Sequence, residues 1–124
     1  MNWGYIKDKI LVFGEDDYVF SDMFFSIIGE FGKVEDIETR TLYAFVMLKE
    51  LMQEKLITVY RISEKTLEEY VYSSESDIEK LISAISLEWK NIGYSLQGSE
   101  LFFCVTSTEK GIECVNRKTF LENE

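Results

Sequence analysis

The clearest secondary-structure signal is the stretch SDIEKLISAISLEWKNIG at residues 76–93. Ser76 and Glu79 have the spacing of a capping box, in which each side chain accepts a hydrogen bond from the other residue's backbone N–H. Gly93 is placed to end the helix in a left-handed conformation. The apolar side chains between these ends form one stripe at helical spacing: Ile78, Leu81, Ile82, Ile85 and Trp89. The stretch therefore predicts an amphipathic helix.

Strands are indicated on both sides of this helix. The sequence ITVYRI at 57–62 is rich in β-branched residues and partly alternates between apolar and polar side chains. Residues 101–106 and 112–116 have a similar character, and Gly111 can supply the positive φ that a turn between them requires. Residues 63–76 are polar and weakly patterned, which favours a loop with a turn of helix. We therefore expect one strand before the helix and a terminal β-hairpin after it.

Two more helices are expected before the first strand. Residues 18–31 have apolar side chains at helical spacing, and the acids at 15–17 precede them, where negative charge suits the positive end of the helix dipole. Residues 38–55 are apolar around much of the helix circumference, which is typical of a helix in the middle of a domain. The expected fold class is α+β, with three main helices, a strand and a C-terminal β-hairpin. This order is similar to a winged-helix arrangement.

Length and composition favour a single domain over residues 1–124. The chain is 46% hydrophobic and 15% aromatic, which is ample for a core, and it has no proline and no linker-like stretch. The N-terminus lacks the form of a signal peptide, and the apolar run at 42–48 is far shorter than the roughly 20 residues of a membrane helix. Cys104 and Cys114 are expected as reduced thiols on one face of the hairpin. The expected location is the cytoplasm, with no membrane partner.

The composition argues against several kinds of chemistry. The absence of histidine removes Ser-His and Cys-His catalysis and the commonest transition-metal ligand. A net charge of −10 argues against direct nucleic-acid binding, which needs clustered Lys and Arg. The acidic runs at 15–17 and 35–38 do not match the calcium-binding loop of EF-hands. We therefore expect no enzymatic activity, no metal site and no cofactor.

The negative charge is concentrated in two segments. The first acidic segment, residues 14–38, contains eight acids and one base. The second acidic segment, residues 64–79, contains six acids and one base. The two segments have net charges of −7 and −5, so the remainder of the chain is slightly positive at +2.

Two interpretations of these acidic segments remain open. Solvated surfaces and helix N-termini are often acidic, and excess charge helps solubility. Alternatively, the segments form a docking face for a cationic protein such as a nuclease, whose association they accelerate. Tyrosines among charged residues, as in the second segment, are typical of interface anchors. The predicted partner-binding residues are Asp16, Asp17, Asp22, Glu35, Asp36, Glu38, Glu64, Glu68, Glu69, Tyr70, Tyr72, Glu75 and Asp77.

Several short motifs from residue 41 onward resemble a known class of proteins. They are LKELMQEKLI at 48–57, EWKNIG at 88–93, Gly98, and LFF at 101–103 followed by TSTEKG at 106–111. In these motifs the chain resembles small acidic immunity proteins of bacterial polymorphic-toxin and contact-dependent growth inhibition systems. The resemblance implies a non-catalytic protein that neutralises a cognate toxin by tight binding, often across a charged face. Immunity families share no functional residues, so the predicted binding residues depend on charge alone.

A second function class is compatible with the same sequence. In a small cytoplasmic regulatory or ligand-binding domain, the acidity would serve only solubility. That alternative predicts an apolar pocket between the second and third expected helices, and no large patch of negative potential.

Overall fold

The computed structural model describes residues 2–63, 66–91, 93 and 103–121. The helices and strands, in chain order, are α1 (Trp3–Asp16), β1 (Val19–Phe20), α2 (Ser21–Phe31), α3 (Ile37–Gln53), β2 (Ile57–Ser63), β3 (Thr66–Glu69), α4 (Glu75–Asn91), β4 (Phe103–Ser107) and α5 (Glu109–Asn116). This mixture of helices with an antiparallel sheet confirms the α+β class. No helix in the described ranges has the length and apolar character needed to span a bilayer.

The four strands form one antiparallel sheet in the order β1-β4-β2-β3. Val105 of β4 lies opposite Val59 of β2 on one side and Val19 of β1 on the other. Because side chains alternate along a strand, these three valines point to the same face of the sheet. All three are buried in the hydrophobic core together with side chains of the helices. The helices therefore cover this face, which we call the inner face.

The helical layer is held to the inner face by aromatic contacts. Phe25 of α2 stacks on Trp89 of α4 with ring centroids 4.3 Å apart, and its ring meets Phe103 of β4 edge-on. The indole Nε1 of Trp89 donates a 2.7 Å hydrogen bond to Oγ1 of Thr41 on α3. Such aromatic pairs each contribute about 1 kcal/mol beyond burial of their area. The contacts join α2, α3 and α4 into one packed layer.

Five of the predicted elements are confirmed, two of them over part of the predicted range: residues 21–31 of the helix expected at 18–31 form α2, and residues 103–106 of the strand expected at 101–106 lie in β4. Helix α3 lies within one to two residues of the predicted 38–55, strand β2 matches 57–62, and α4 matches the stripe that ends at Trp89. Gly93 has a φ of 72° and donates its N–H to the Lys90 carbonyl, as expected of a left-handed terminator.

The predicted C-terminal hairpin is wrong, because residues 112–116 belong to helix α5. Thr108 caps this helix, since its Oγ1 accepts a hydrogen bond from the Gly111 N–H. Gly111 is required for close packing and not for a turn: a Cβ there would lie 2.4 Å from the carbonyl oxygen of Leu56. Cys104 on β4 and Cys114 on α5 therefore do not share a hairpin face. The similarity to a winged-helix arrangement depended on that hairpin and loses its basis.

Other sequence predictions also need correction. Strand β1 consists of Val19 and Phe20, which were expected in a helix, and Tyr18 directly precedes it. Helix α1 and strand β3 were not predicted. The capping box of α4 lies two residues earlier than expected. The Asp77 N–H donates to Oγ of Ser74, and the Asp77 carboxylate accepts from the Ser73 N–H. The hydroxyl that caps the helix is therefore that of Ser74.

Candidate protein-binding surface

Most acids of the first acidic segment lie near the two ends of helix α2. Four acids, which we call the α1–α2 group, lie where α1 ends and α2 begins: Glu15, Asp16, Asp17 and Asp22. Three more, the α3 group, lie at the turn into α3: Glu35, Asp36 and Glu38. Asp22 is half-buried and the other six are exposed. Helix α2 has 11 residues, so the two groups are separated by about 16 Å along its axis.

One acid of the α3 group, Asp36, already has hydrogen-bond partners within the protein. The Asp36 carboxylate accepts hydrogen bonds from the Thr39 hydroxyl at 2.8 Å and the Thr39 N–H at 2.9 Å, and so caps α3. These hydrogen bonds lower the pKa of Asp36. The Arg40 guanidinium, one helical turn after Asp36, donates to the Val34 carbonyl at 3.0 Å. A cation therefore lies close to this group of acids.

The acids of the second segment that begin α4 are engaged within the protein. Lys49 of α3 forms ion pairs with Glu75, at 3.8 Å, and with Glu79. Glu75 also accepts a 2.7 Å hydrogen bond from the Gln53 amide. Hydrogen bonds from Ser73 and Ser74 lower the pKa of Asp77. These carboxylates fasten α4 to α3 and cap α4.

Tyr70 and Tyr72 also have partners inside the protein. The Tyr70 hydroxyl donates to the Asp77 carbonyl at 2.7 Å, and the Tyr72 hydroxyl donates to the Ile57 carbonyl at 2.9 Å. Both rings are half-buried against the core, and their planes are inclined by only 19°. Burial raises the pKa of Tyr72. The two tyrosines hold the loop before α4, and their role at an interface stays a prediction.

The predicted binding residues do not form one continuous face. Glu68 and Glu69 are exposed on β3, at the opposite edge of the sheet from β1, so three interstrand spacings, about 14 Å, separate them from the α1–α2 group. Helices α3 and α4 run antiparallel, because Thr41 contacts Trp89 and Lys49 contacts Glu75. The α4 acids and the α3 group therefore lie at opposite ends of α3. Glu64 lies outside the described residues.

The ion pairs among the described residues do not include the acids of the first segment. Within the described ranges, the pairs join Lys7 to Glu50 and Glu54, Lys49 to Glu75 and Glu79, Arg61 to Glu88, and Arg117 to Glu113. None of these involves an acid of the first segment. In the described structure the α1–α2 group is thus a set of four carboxylates, three of them exposed, that takes part in no ion pair.

A surface that the sequence did not predict lies beside the α1–α2 group. Cys104 of the central strand β4 pairs with Phe20 of β1 on one side and with Tyr60 of β2 on the other. The side chains of Phe20 and Tyr60 therefore point away from the inner face. Tyr18 packs edge-on against Tyr60, with ring centroids 5.5 Å apart, and its ring lies tilted by 50° against that of Phe20, with centroids 6.2 Å apart. We call these three rings the aromatic cluster. Tyr18 is 41% exposed and Phe20 is 37% exposed.

The aromatic cluster belongs to the outer face of the sheet. In the described part of the chain, none of its three rings joins the hydrophobic core. Leu67 of β3 extends the same face and is 40% exposed. The sequence does contain a short signal for this surface, since Tyr18, Val19 and Phe20 alternate between aromatic and aliphatic side chains. That alternation was hidden because Val19 and Phe20 also fit the helical spacing of the residues that follow.

The described residues line surface depressions with volumes of about 140, 260 and 350 Å³. The depression between the C-terminal end of α3 and the start of α4 has a volume of about 140 Å³, and its lining includes Gln53, Lys55 and Glu75. Among the described residues, no three Cys, Asp or Glu side chains come together as metal ligands. Burial raises the pKa of Cys104 to about 11, so that thiol is protonated at neutral pH.

Comparisons of the chain with models of protein families, with curated proteins and with solved structures gave no match. The geometry and charge of its own surface are therefore the basis on which a function can be proposed.

Proposed function

We propose that this protein is an immunity-type inhibitor that acts in the bacterial cytoplasm. It binds a cationic surface of a cognate toxin, for which a nuclease is the leading candidate, and it has no catalytic step of its own. The observation that supports this most is the α1–α2 group, in which three of the four carboxylates are exposed and none takes part in a described ion pair. The acidity of the chain is therefore presented to solvent at a defined place.

Such a charge distribution favours rapid capture of a cationic protein. Complementary potentials steer two proteins together and raise the association rate by orders of magnitude at low salt. A nuclease must present Lys and Arg to bind phosphate, so its substrate groove is a suitable target for carboxylates. An inhibitor that must meet a toxin before the toxin meets nucleic acid benefits from this rate.

The ligand-binding alternative has less support. It requires an apolar pocket between α3 and α4, and the depression there is small, at about 140 Å³, with Gln53, Lys55 and Glu75 in its lining. Small-molecule sites usually enclose about 300–1,000 Å³ of mainly apolar space.

The proposal predicts that a toxin is encoded immediately upstream of this protein, and the C-terminal domain of that toxin is the partner to test. Mixing the two purified proteins should give a stoichiometric complex that abolishes toxin activity. The association rate constant should fall about tenfold or more as salt rises from low to physiological concentration. Failure to form a complex, or an association rate insensitive to salt, would contradict the proposal.

A further inference from the structure

We propose that the aromatic cluster, together with Asp17 and Asp22, is the seat for an arginine side chain of the cationic partner. This inference rests on the proposed function and adds to it a location and the chemical identity of the group recognised.

The rings form a platform that is already in place before binding. Tyr18 reaches from the β1 edge of the sheet to Tyr60 on β2, and the ring planes meet at 83°. Cys104 lies between Phe20 and Tyr60 in the register and has no exposed surface. Because the Tyr18 ring contacts the rings of both Phe20 and Tyr60, part of its side-chain freedom is already lost before a partner binds.

The carboxylates beside the rings select a cation. Asp17 directly precedes Tyr18, and its Oδ1 accepts a 2.8 Å hydrogen bond from the Tyr18 N–H, which fixes the carboxylate at the backbone of the residue that bears the ring. Asp22 follows Phe20 by two residues, in the first turn of α2. A neutral apolar partner covering the rings would desolvate these carboxylates without pairing them, which is costly. A second copy of this chain would bring a net charge of −10 to the same surface.

Arginine satisfies both parts of the seat. Its planar guanidinium stacks on an aromatic face and donates two parallel hydrogen bonds to a carboxylate, and it is less strongly hydrated than an ammonium group. Lysine offers a compact, strongly hydrated charge that uses the ring less well. The combination of rings and acids therefore predicts a preference for arginine over lysine.

The chain supplies a matched control surface. Leu42 and Val46, one turn apart on α3, are 62% and 47% exposed and are both aliphatic. They present exposed apolar area comparable to that of the cluster but no ring face. A partner attracted by exposed apolar area alone would use them equally well.

The test is an NMR titration of the full-length protein with two peptides, one of alternating Arg and Ser and one of alternating Lys and Ser. The arginine peptide should bind about fivefold more tightly, with the largest shifts at Tyr18, Phe20 and Tyr60. The double variant Tyr18→Leu, Tyr60→Leu keeps apolar area but removes ring faces, and should abolish the preference. The variant Leu42→Ala, Val46→Ala should keep it. The single variant Tyr18→Leu, at an exposed position, gives the same information if the double variant does not fold.

Equal affinity for the two peptides, or shifts spread over all acidic surfaces, would overturn the seat. So would self-association that Tyr18→Leu abolishes, because a second copy would then be the occupant. If Tyr18→Leu, Tyr60→Leu still binds the toxin with wild-type affinity, the seat is wrong and the proposed function stands. If the wild-type protein forms no toxin complex, the proposed function fails independently of the peptide result.

Discussion

The two acidic segments have similar compositions, but the structure uses their carboxylates differently. In the second segment Glu75 and Glu79 pair with Lys49, and Asp77 caps α4. In the first segment only Asp36 has a comparable structural role, and the α1–α2 group has no described ion pair. Formal charge counted along a sequence therefore differs from the charge that a partner can meet. Pairing within the protein decides the difference.

The largest expected difference between the two segments is the effect of charge reversal on the rate of association with the toxin. Asp16→Lys with Asp17→Lys should slow association about 30-fold at low salt, because it reverses uncompensated charge at the proposed interface. Glu75→Lys with Glu79→Lys makes the same formal change on paired acids and should slow association by less than about threefold. Stopped-flow association rates of both variants provide the measurement. Equal slowing by the two variants would erase the distinction between the segments.

The capping acids, one in each segment, should affect stability in the same way. Asp36→Ala and Asp77→Ala should each lower the Tm by about 4 °C at pH 7, because the first removes the N-cap of α3 and the second removes the carboxylate that accepts from the Ser73 N–H at the start of α4. Both carboxyl groups have a lowered pKa in the folded protein, so their contribution is present above the unfolded-state pKa and is lost as pH falls through the folded-state pKa. The variants and the wild type should therefore converge at low pH in thermal unfolding.

The variant Asp36→Asn is the control for this prediction. Asparagine is as good an N-cap as aspartate, so most of the stability should return while the charge stays absent. A Tm as low as that of Asp36→Ala would show that Asp36 acts through its charge and not through the cap.

Asp8 belongs to neither segment and represents a third environment. It is 5% exposed, its Oδ1 has no hydrogen-bond partner, and burial raises its pKa. The ionised form is thus unfavourable in the folded state, and Asp8→Asn should raise the free energy of unfolding by up to about 1 kcal/mol at pH 7. Because the folded-state pKa is raised, this gain should shrink as pH falls through it. Denaturant unfolding at pH 7 and pH 4 measures both values, and a gain that grows on acidification would refute the assignment.

Removal of Lys49 should have the smallest effect. Lys49→Met leaves Glu75 and Glu79 without their cation and so makes the second segment resemble the first. The pair is near the surface, so the Tm should fall by less than about 2 °C. If binding depends on local rather than total charge, the association rate with the toxin should change by less than about twofold. A large rate increase would mean that net charge, and not the α1–α2 group, controls capture.

Sequence periodicity predicted the elements whose own residues define them. The stripe ending at Trp89 and the terminator Gly93 are local signals, and both were confirmed. Helix α5 was mistaken for a strand because its start, Thr108, resembles a turn residue until the hydrogen bond to the Gly111 N–H is seen. Gly111 itself is explained only by the Leu56 carbonyl, which is 55 residues away along the chain.

The candidate surface, like the fold, was predictable only where the signal is local in the sequence. The sequence located the acids, but the pairing of Lys49 with Glu75 joins residues on two helices and has no local signal. The aromatic cluster likewise requires the strand order, which places Phe20 and Tyr60 on either side of Cys104. Charge is a property of the sequence, whereas its availability is a property of the tertiary structure.

The isolation of the α1–α2 group has a consequence for how this protein can evolve. Apart from the hydrogen bonds of Asp17 and Asp22 to the backbone of the next residue, these acids have no described partner, so substitutions there are nearly neutral for folding. Glu75, Asp77 and Glu79 lack this freedom, because changes in them also disturb the junction of α3 with α4. Sequence variation among natural versions of the protein should therefore accumulate at the α1–α2 group. That surface can follow a changing partner while the fold stays constant.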